Sequence, residues 1–286
     1  MEKAFLTPAE IARSYMEIGY NKTKLPALKM FILGIAAGAF IAFAAAGANT
    51  AVHTIDSAGL AKALAGTIFT AGLIMVTVAG AELFTGNCLI MLSCLERRAS
   101  WGGMFKNWLF VYLGNFAGAL LIVFLVQQAG QQDLSGGMLG GFAIEVAANK
   151  AALPFGNAFF LGILCNWLVC IAVWMAAGAR DIAGKILAVF FPIWLFIASG
   201  YEHSIANMYF IPAGILAKAN PAYVNAALSM GVAQDKIDAL NWGGFFAGNL
   251  LPVTLGNITG GVIFVVLIYW ISYLRKNKRA RQAGEE

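Results

Sequence analysis

Apolar residues run along the chain in six blocks, 28–49, 63–95, 107–128, 156–179, 185–217 and 248–274, parted by short polar or glycine-rich connections. A helix needs about 20 apolar residues to cross the hydrocarbon of a bilayer, so the blocks predict six membrane-spanning helices. Blocks 63–95 and 185–217 are too long for one straight crossing and predict helices that are tilted or broken. Each of these two holds one acid, Glu82 or Glu202, near its middle. Ahead of the first block, Thr7-Pro8-Ala9-Glu10 reads as a helix start with a capping box and proline at the first helical position. Ile11, Tyr15 and Ile18 then share one face, which predicts a short amphipathic helix over 1–25 that serves as an anchor or a gate.

The two halves of the chain resemble each other. FILGI (31–35) matches FFLGI (159–163), GAELFTGN (80–87) matches GYEHSIAN (200–207), and NWLFVYLGNFAG (107–118) matches NLLPVTLGNITG (249–260). Three matches in the same order, one per span, make spans 1–3 (26–128) and 4–6 (156–274) copies, joined by an external loop, 129–155. Three is odd, so the second copy enters from the opposite face and the copies are inverted, a plan in which discontinuous helices meet near the midplane. Breaks are expected at 82–86 and 202–205, with Thr85 or Gly86 starting one half-helix and Ser204 the other. Half-helix starts expose free N–H groups and the positive dipole end, which favours an anion between them.

Composition agrees. Hydrophobic residues make up 60% of the 286 and charged residues 12%, against about 25% in a soluble domain. The net charge of +5 has its explanation in orientation rather than in a nucleic-acid partner. Of the 19 Lys and Arg, all but Lys62, Lys150, Lys218 and Lys236 lie on the side of the termini, including a basic tail, 275–286. That bias puts both termini in the cytoplasm. The N-terminus has no continuous apolar h-region, so no cleavable leader is expected. Cys88, Cys94, Cys165 and Cys170 lie within apolar blocks without metal-ligand spacing and read as small buried groups. With His53 in an external loop and His203 as the only other histidine, neither a metal site nor another cofactor is expected, and no nucleophile–base set suggests an enzyme. Asn220-Pro221-Ala222 occurs once, whereas a neutral-solute channel of the aquaglyceroporin type needs two such triplets.

The motifs GAELFTGN, CNWLVCIAVWM (165–175), ASGYEHSIANM (198–208) and PVTLGN (252–257) resemble the formate–nitrite transporter family, over about Pro26 to Leu274. The resemblance implies an all-α, aquaporin-like bundle of six spans with helices 2 and 5 broken, assembled as a homopentamer in the cytoplasmic (inner) membrane. Each subunit would carry its own pore for formate, nitrite or hydrosulfide, with formate first. It also implies roles for single residues. His203 would be the central histidine, contacting the anion or donating a proton to it. Thr85 and Asn257 would offer neutral donors, and Lys150 would stand in the outer vestibule. Phe69 and Phe196 would form the outer constriction, Leu73 and Leu83 the inner. From the residues themselves, Glu202 and Glu82 occur in both copies and read as acceptors for backbone N–H groups freed at the breaks. His203 is the asymmetric element, since Leu83 holds its place in the first copy.

Overall fold

The structure, a computed structural model, describes residues 5–275; all of the basic tail but Arg275 lies outside them. The described residues form twelve helices: α1 (Pro8–Lys24), α2 (Ala27–Val52), α3 (Ala58–Gly80), α4 (Phe84–Leu95), α5 (Trp101–Gln128), α6 (Met138–Ala151), α7 (Phe155–Gly178), α8 (Ile182–Ala198), α9 (Ser204–Ala217), α10 (Pro221–Ser229), α11 (Gln234–Ala239) and α12 (Gly244–Tyr273). Five of them, α2, α3, α5, α7 and α12, are long and apolar enough to cross a membrane. The shorter apolar helices α4, α8 and α9 complete the two broken spans, α3–α4 and α8–α9.

The breaks fall at 81–83 and 199–203, slightly before the expected positions, and the first half-helix starts at Phe84 rather than Thr85 or Gly86. The reason is a glycine at each site. Gly80 (φ +84°) and Gly200 (φ +72°) adopt left-handed backbone that ends a helix, and the chain after each is extended. Ser204 starts α9 as expected.

Close packing without a hydrophobic drive needs small residues at helix crossings. Gly34 and Gly38 of α2 face Gly114 and Gly118 of α5, and Gly162 of α7 faces Gly256 and Gly260 of α12. A Cβ on Gly38 would overlap the Asn115 carbonyl, and one on Gly118 the Ile35 carbonyl.

One segment differs from expectation. The 129–155 connection is not an open loop: it contains α6, whose Gly140 and Gly141 press against Tyr223 and Ala226 of α10. Its 14 residues are too few to cross a membrane, so apolar length alone gives no helix there. His53 ends α2, where its ring bonds the Thr50 carbonyl and the Ser135 hydroxyl (both 2.8 Å). The helix α1 has both halves of its capping box and lies against the bundle. Tyr15 stacks on Trp174 (ring centroids 5.3 Å), Trp174 stacks on Tyr269 (4.6 Å), and the Ser93 hydroxyl bonds the α1 carbonyls of Tyr15 and Met16.

Gly118→Val is expected to destabilise the fold by ~1–3 kcal/mol or prevent folding, because it forces α2 and α5 apart. Gly59→Ala, with nothing within 4 Å of its new Cβ, is the neutral control. Thermal unfolding of the purified variants in detergent checks both.

Candidate functional site: two helix breaks joined at a histidine

Each break is held by the same set of bonds. At the first, Phe84 N–H donates to Asn115 Oδ1 (3.0 Å), and Asn115 Nδ2 donates to the carbonyls of Gly34 (2.8 Å) and Glu82 (2.9 Å). At the second, Ser204 N–H donates to Asn257 Oδ1 (2.9 Å), and Asn257 Nδ2 donates to the carbonyls of Gly162 (2.8 Å) and Glu202 (3.0 Å). The N–H groups of Glu82 and Glu202 reach back to the carbonyls of Leu33 (3.2 Å) and Leu161 (3.3 Å). These peptide groups are therefore bonded without water.

Two expectations change here. Asn257 is not free to serve an anion, since its oxygen and its amide nitrogen are both committed to backbone. Glu82 and Glu202 do not collect backbone N–H groups; the asparagines do that. Glu202 instead accepts from Lys150 Nζ (2.7 Å), Asn207 Nδ2 (2.6 Å) and Asn249 Nδ2 (3.4 Å). Glu82 accepts from Lys22 Nζ (2.7 Å) and Asn87 Nδ2 (2.7 Å). Behind them Asn87 donates to Asn107 and Asn107 to the Lys22 carbonyl, as Asn207 donates to Asn249 and Asn249 to the Lys150 carbonyl. A buried carboxylate costs several kcal/mol unless it is paired and its remaining lone pairs are bonded, and both conditions hold at each break.

Lys150 therefore stands at the end of α6, fixed to Glu202 and 5.4 Å from the Phe210 ring centre. Its counterpart is Lys22 on α1, which sequence reasoning missed. The repeat thus takes in a helix more than the motifs showed, α1 answering to α6. Lys22 precedes its glutamate by 60 residues and Lys150 by 52, so the spacing hides the match. The four asparagines were visible as the closing Asn of G-x-E-x-x-x-x-N and the opening Asn of N-x-L-x-V-x-L-G-N-x-x-G.

The asymmetry lies at the centre. His203 caps α9: its Nδ1 accepts from Ala206 N–H (3.1 Å). A backbone N–H only donates, so in the neutral ring the hydrogen sits on Nε2. That Nε2–H donates to Thr85 Oγ1 at 2.9 Å. Thr85 and His203 are both buried, and their bond joins the starts of α4 and α9. Asn166 of α7 braces the pair from behind, donating to the carbonyls of Thr85 (3.2 Å) and Asn257 (2.7 Å). Leu83, in the matching place, supplies no cap.

Phe69, Leu73, Leu83 and Phe196 are all buried and, with His203, Ile41, Val169 and Ile193, line one cavity of about 10 Å³, room for roughly one water. Phe69 and Phe196 meet edge to face, centroids 5.7 Å apart, and Phe69 also stacks with Phe210. Leu73 and Leu83 line a second cavity as well, of about 340 Å³, which also takes in Lys22, Glu82, Thr77, Gly80 and Lys185. These two leucines thus separate the larger cavity from His203. All four cysteines are free and buried, and Cys170 Sγ lies 3.4 Å from the Thr85 carbonyl.

Against known proteins, the model of the family described as "Formate/nitrite transporter" matches residues 9–271. The chain belongs to the formate/nitrite transporter family. The match begins within α1, the helix that carries Lys22, and not at Pro26. The formate channel FocA of Escherichia coli (strain K12) is 42% identical over 95% of this chain and 96% of its own. A probable formate transporter of Methanothermobacter thermautotrophicus is 38% identical over 96% of this chain and all of its own. A solved structure described as a pentameric formate channel with formate bound superposes with a TM-score of 0.76, at 37% identity over 87% of this chain and 98% of its own. The family is one of channels and transporters, not enzymes, and this member is a multi-pass membrane protein.

Lys22→Met leaves Glu82 buried without its cation and is expected to cost ~3–5 kcal/mol. The double variant Lys22→Met/Glu82→Gln is expected to recover part of that loss. A double-mutant cycle of thermal unfolding checks the coupling, and Lys150 with Glu202 is expected to behave alike.

Proposed function

We propose that this protein is a channel or transporter for a small monovalent weak-acid anion, formate first, in a cytoplasmic membrane. The two halves are inverted, both termini are cytoplasmic, and five subunits each carry their own pathway. The observation that carries this reading is the His203–Thr85 bond, set between two half-helix starts and enclosed by Phe69, Phe196, Leu73 and Leu83. The formate-channel relatives, the pentameric neighbour and the cytoplasmic bias of Lys and Arg support it.

An ion leaving water for such a site meets a barrier of several kcal/mol. An anion arriving from the Lys150 side, the outer mouth, would pass the phenylalanines and take the His203 Nε2–H now held by Thr85. Thr85 would turn its own hydroxyl hydrogen to the same anion. The half-helix starts add the positive ends of their dipoles. Formate, nitrite and hydrosulfide are conjugate bases of weak acids, so a proton lowers the barrier further by removing the charge. Giving up Nε2–H without gaining one elsewhere would leave an imidazolate. Full transfer therefore requires Nδ1 to take a proton, and that breaks the bond to Ala206 N–H. Proton donation and the cap of α9 exclude each other, whereas simple anion contact leaves the cap intact. Helix α1 acts here as an anchor that brings Lys22 to Glu82.

Asparagine caps helices well and donates hydrogen bonds but exchanges no proton. His203→Asn is thus expected to fold, to pass formate slowly, and to lose both proton co-movement and the pH dependence of flux. His203→Leu, which copies the other half, is expected to lose the cap and the flux. Formate uptake into proteoliposomes holding a pH dye, run across a pH series, checks this. A wild-type pH profile in His203→Asn removes the proton-donor role. Glycerol flux without formate flux in the wild type removes the anion reading, and competition by nitrite and hydrosulfide ranks the cargo.

A further inference from the structure

The salt-bridged lysines add no net charge at either mouth of the pathway: Lys22 offsets Glu82 on one side and Lys150 offsets Glu202 on the other. We propose that two further lysines, Lys185 and Lys62, are the anion collectors of the inner and outer mouths, an inference that rests on the anion-channel reading above. Lys185 lies in the first turn of α8 and lines the 340 Å³ cavity with Gly80, the glycine of the first break. Lys62 lies near the start of α3, with Nζ 4.0 Å from where a Cβ on Gly200 would stand, the glycine of the second break. Each lysine thus sits on the first half of one broken span and at the break of the other.

Neither ammonium makes an ion pair or a side-chain hydrogen bond among the described residues. The nearest acids in sequence, Asp181 and Asp56, are exposed, and Asp181 is engaged in capping α8 through Gly184 N–H (2.7 Å). A lysine at a helix start opposes the helix dipole and does nothing for helix stability. What both positions share is an unneutralised positive charge beside a pathway mouth, where low-dielectric walls focus the field on arriving anions. The bonded lysines hold the breaks together, and the unbonded ones set the local anion concentration.

The test is initial formate flux at subsaturating concentration in right-side-out and inside-out vesicles, at low and at high salt. At low salt, Lys185→Gln is expected to lower flux from the cytoplasmic face, and Lys62→Gln flux from the outer face, each by about two- to fourfold with maximal flux unchanged. The loss is expected to vanish near 1 M salt, where the screening length is about 3 Å, and Lys185→Arg and Lys62→Arg are expected to match the wild type. Low-salt flux in both Gln variants equal to the wild type overturns the proposal. So does a fall in maximal flux that salt does not alter, which marks a structural role. Wild-type flux of formate without any salt dependence overturns the collectors alone; no formate flux in the wild type overturns them together with the anion-channel reading.

Discussion

A chain that stops being helical inside an apolar bundle frees peptide groups that must be bonded within the protein or face a water-filled cavity. This fold meets the largest part of that need with one asparagine per break. Asn115 and Asn257 each bind three backbone groups: the N–H that starts a half-helix, the carbonyl of the glutamate before it, and a carbonyl of the helix that packs alongside. The glycine-lined crossings of α2 with α5 and of α7 with α12 follow from the same need, because the asparagine reaches that third carbonyl only when the helix backbones touch. Leu83 and His203 stand where they do because the residue after each is pinned.

Burying a carboxylate at each break creates a second demand, and the way it is met explains two of the helices that do not span. Both α1 and α6 carry in their last turn a lysine that reaches the glutamate of the next break, and both are fixed by asparagines that bond the lysine's own carbonyl. The aromatic stack from Tyr15 through Trp174 to Tyr269 fastens α1 at the depth where Lys22 can make that contact.

What the sequence made legible were the features written in local pattern: the apolar blocks, the two overlong ones, the repeat, and the singular histidine. The breaks were placed late because the acids drew attention while the helix-ending glycines beside them did not. Helix α6 was hidden because 14 residues carry no membrane-length pattern. The duties of Asn257 and of the two glutamates were misassigned for one reason: apart from Asn87 and Asn207, their bonding partners lie 47 to 95 residues away, at distances set only by the packed helices. Thr85 and His203, 118 residues apart, were named separately by resemblance, and their contact needed the structure.

The matched bonding of the two halves has a consequence for how such a molecule can arise. Two identical half-length chains, paired about a two-fold axis, could make the asparagine and lysine bonds common to both breaks, which leaves out the Asn249–Glu202 bond and the His203 cap. What such a pair could not do is differ at its centre: it would carry two leucines or two histidines, two threonines or two isoleucines. One histidine facing one threonine demands that the halves mutate independently, and a single fused chain permits that. The histidine–threonine contact, on this reasoning, is younger than the scaffold that holds it.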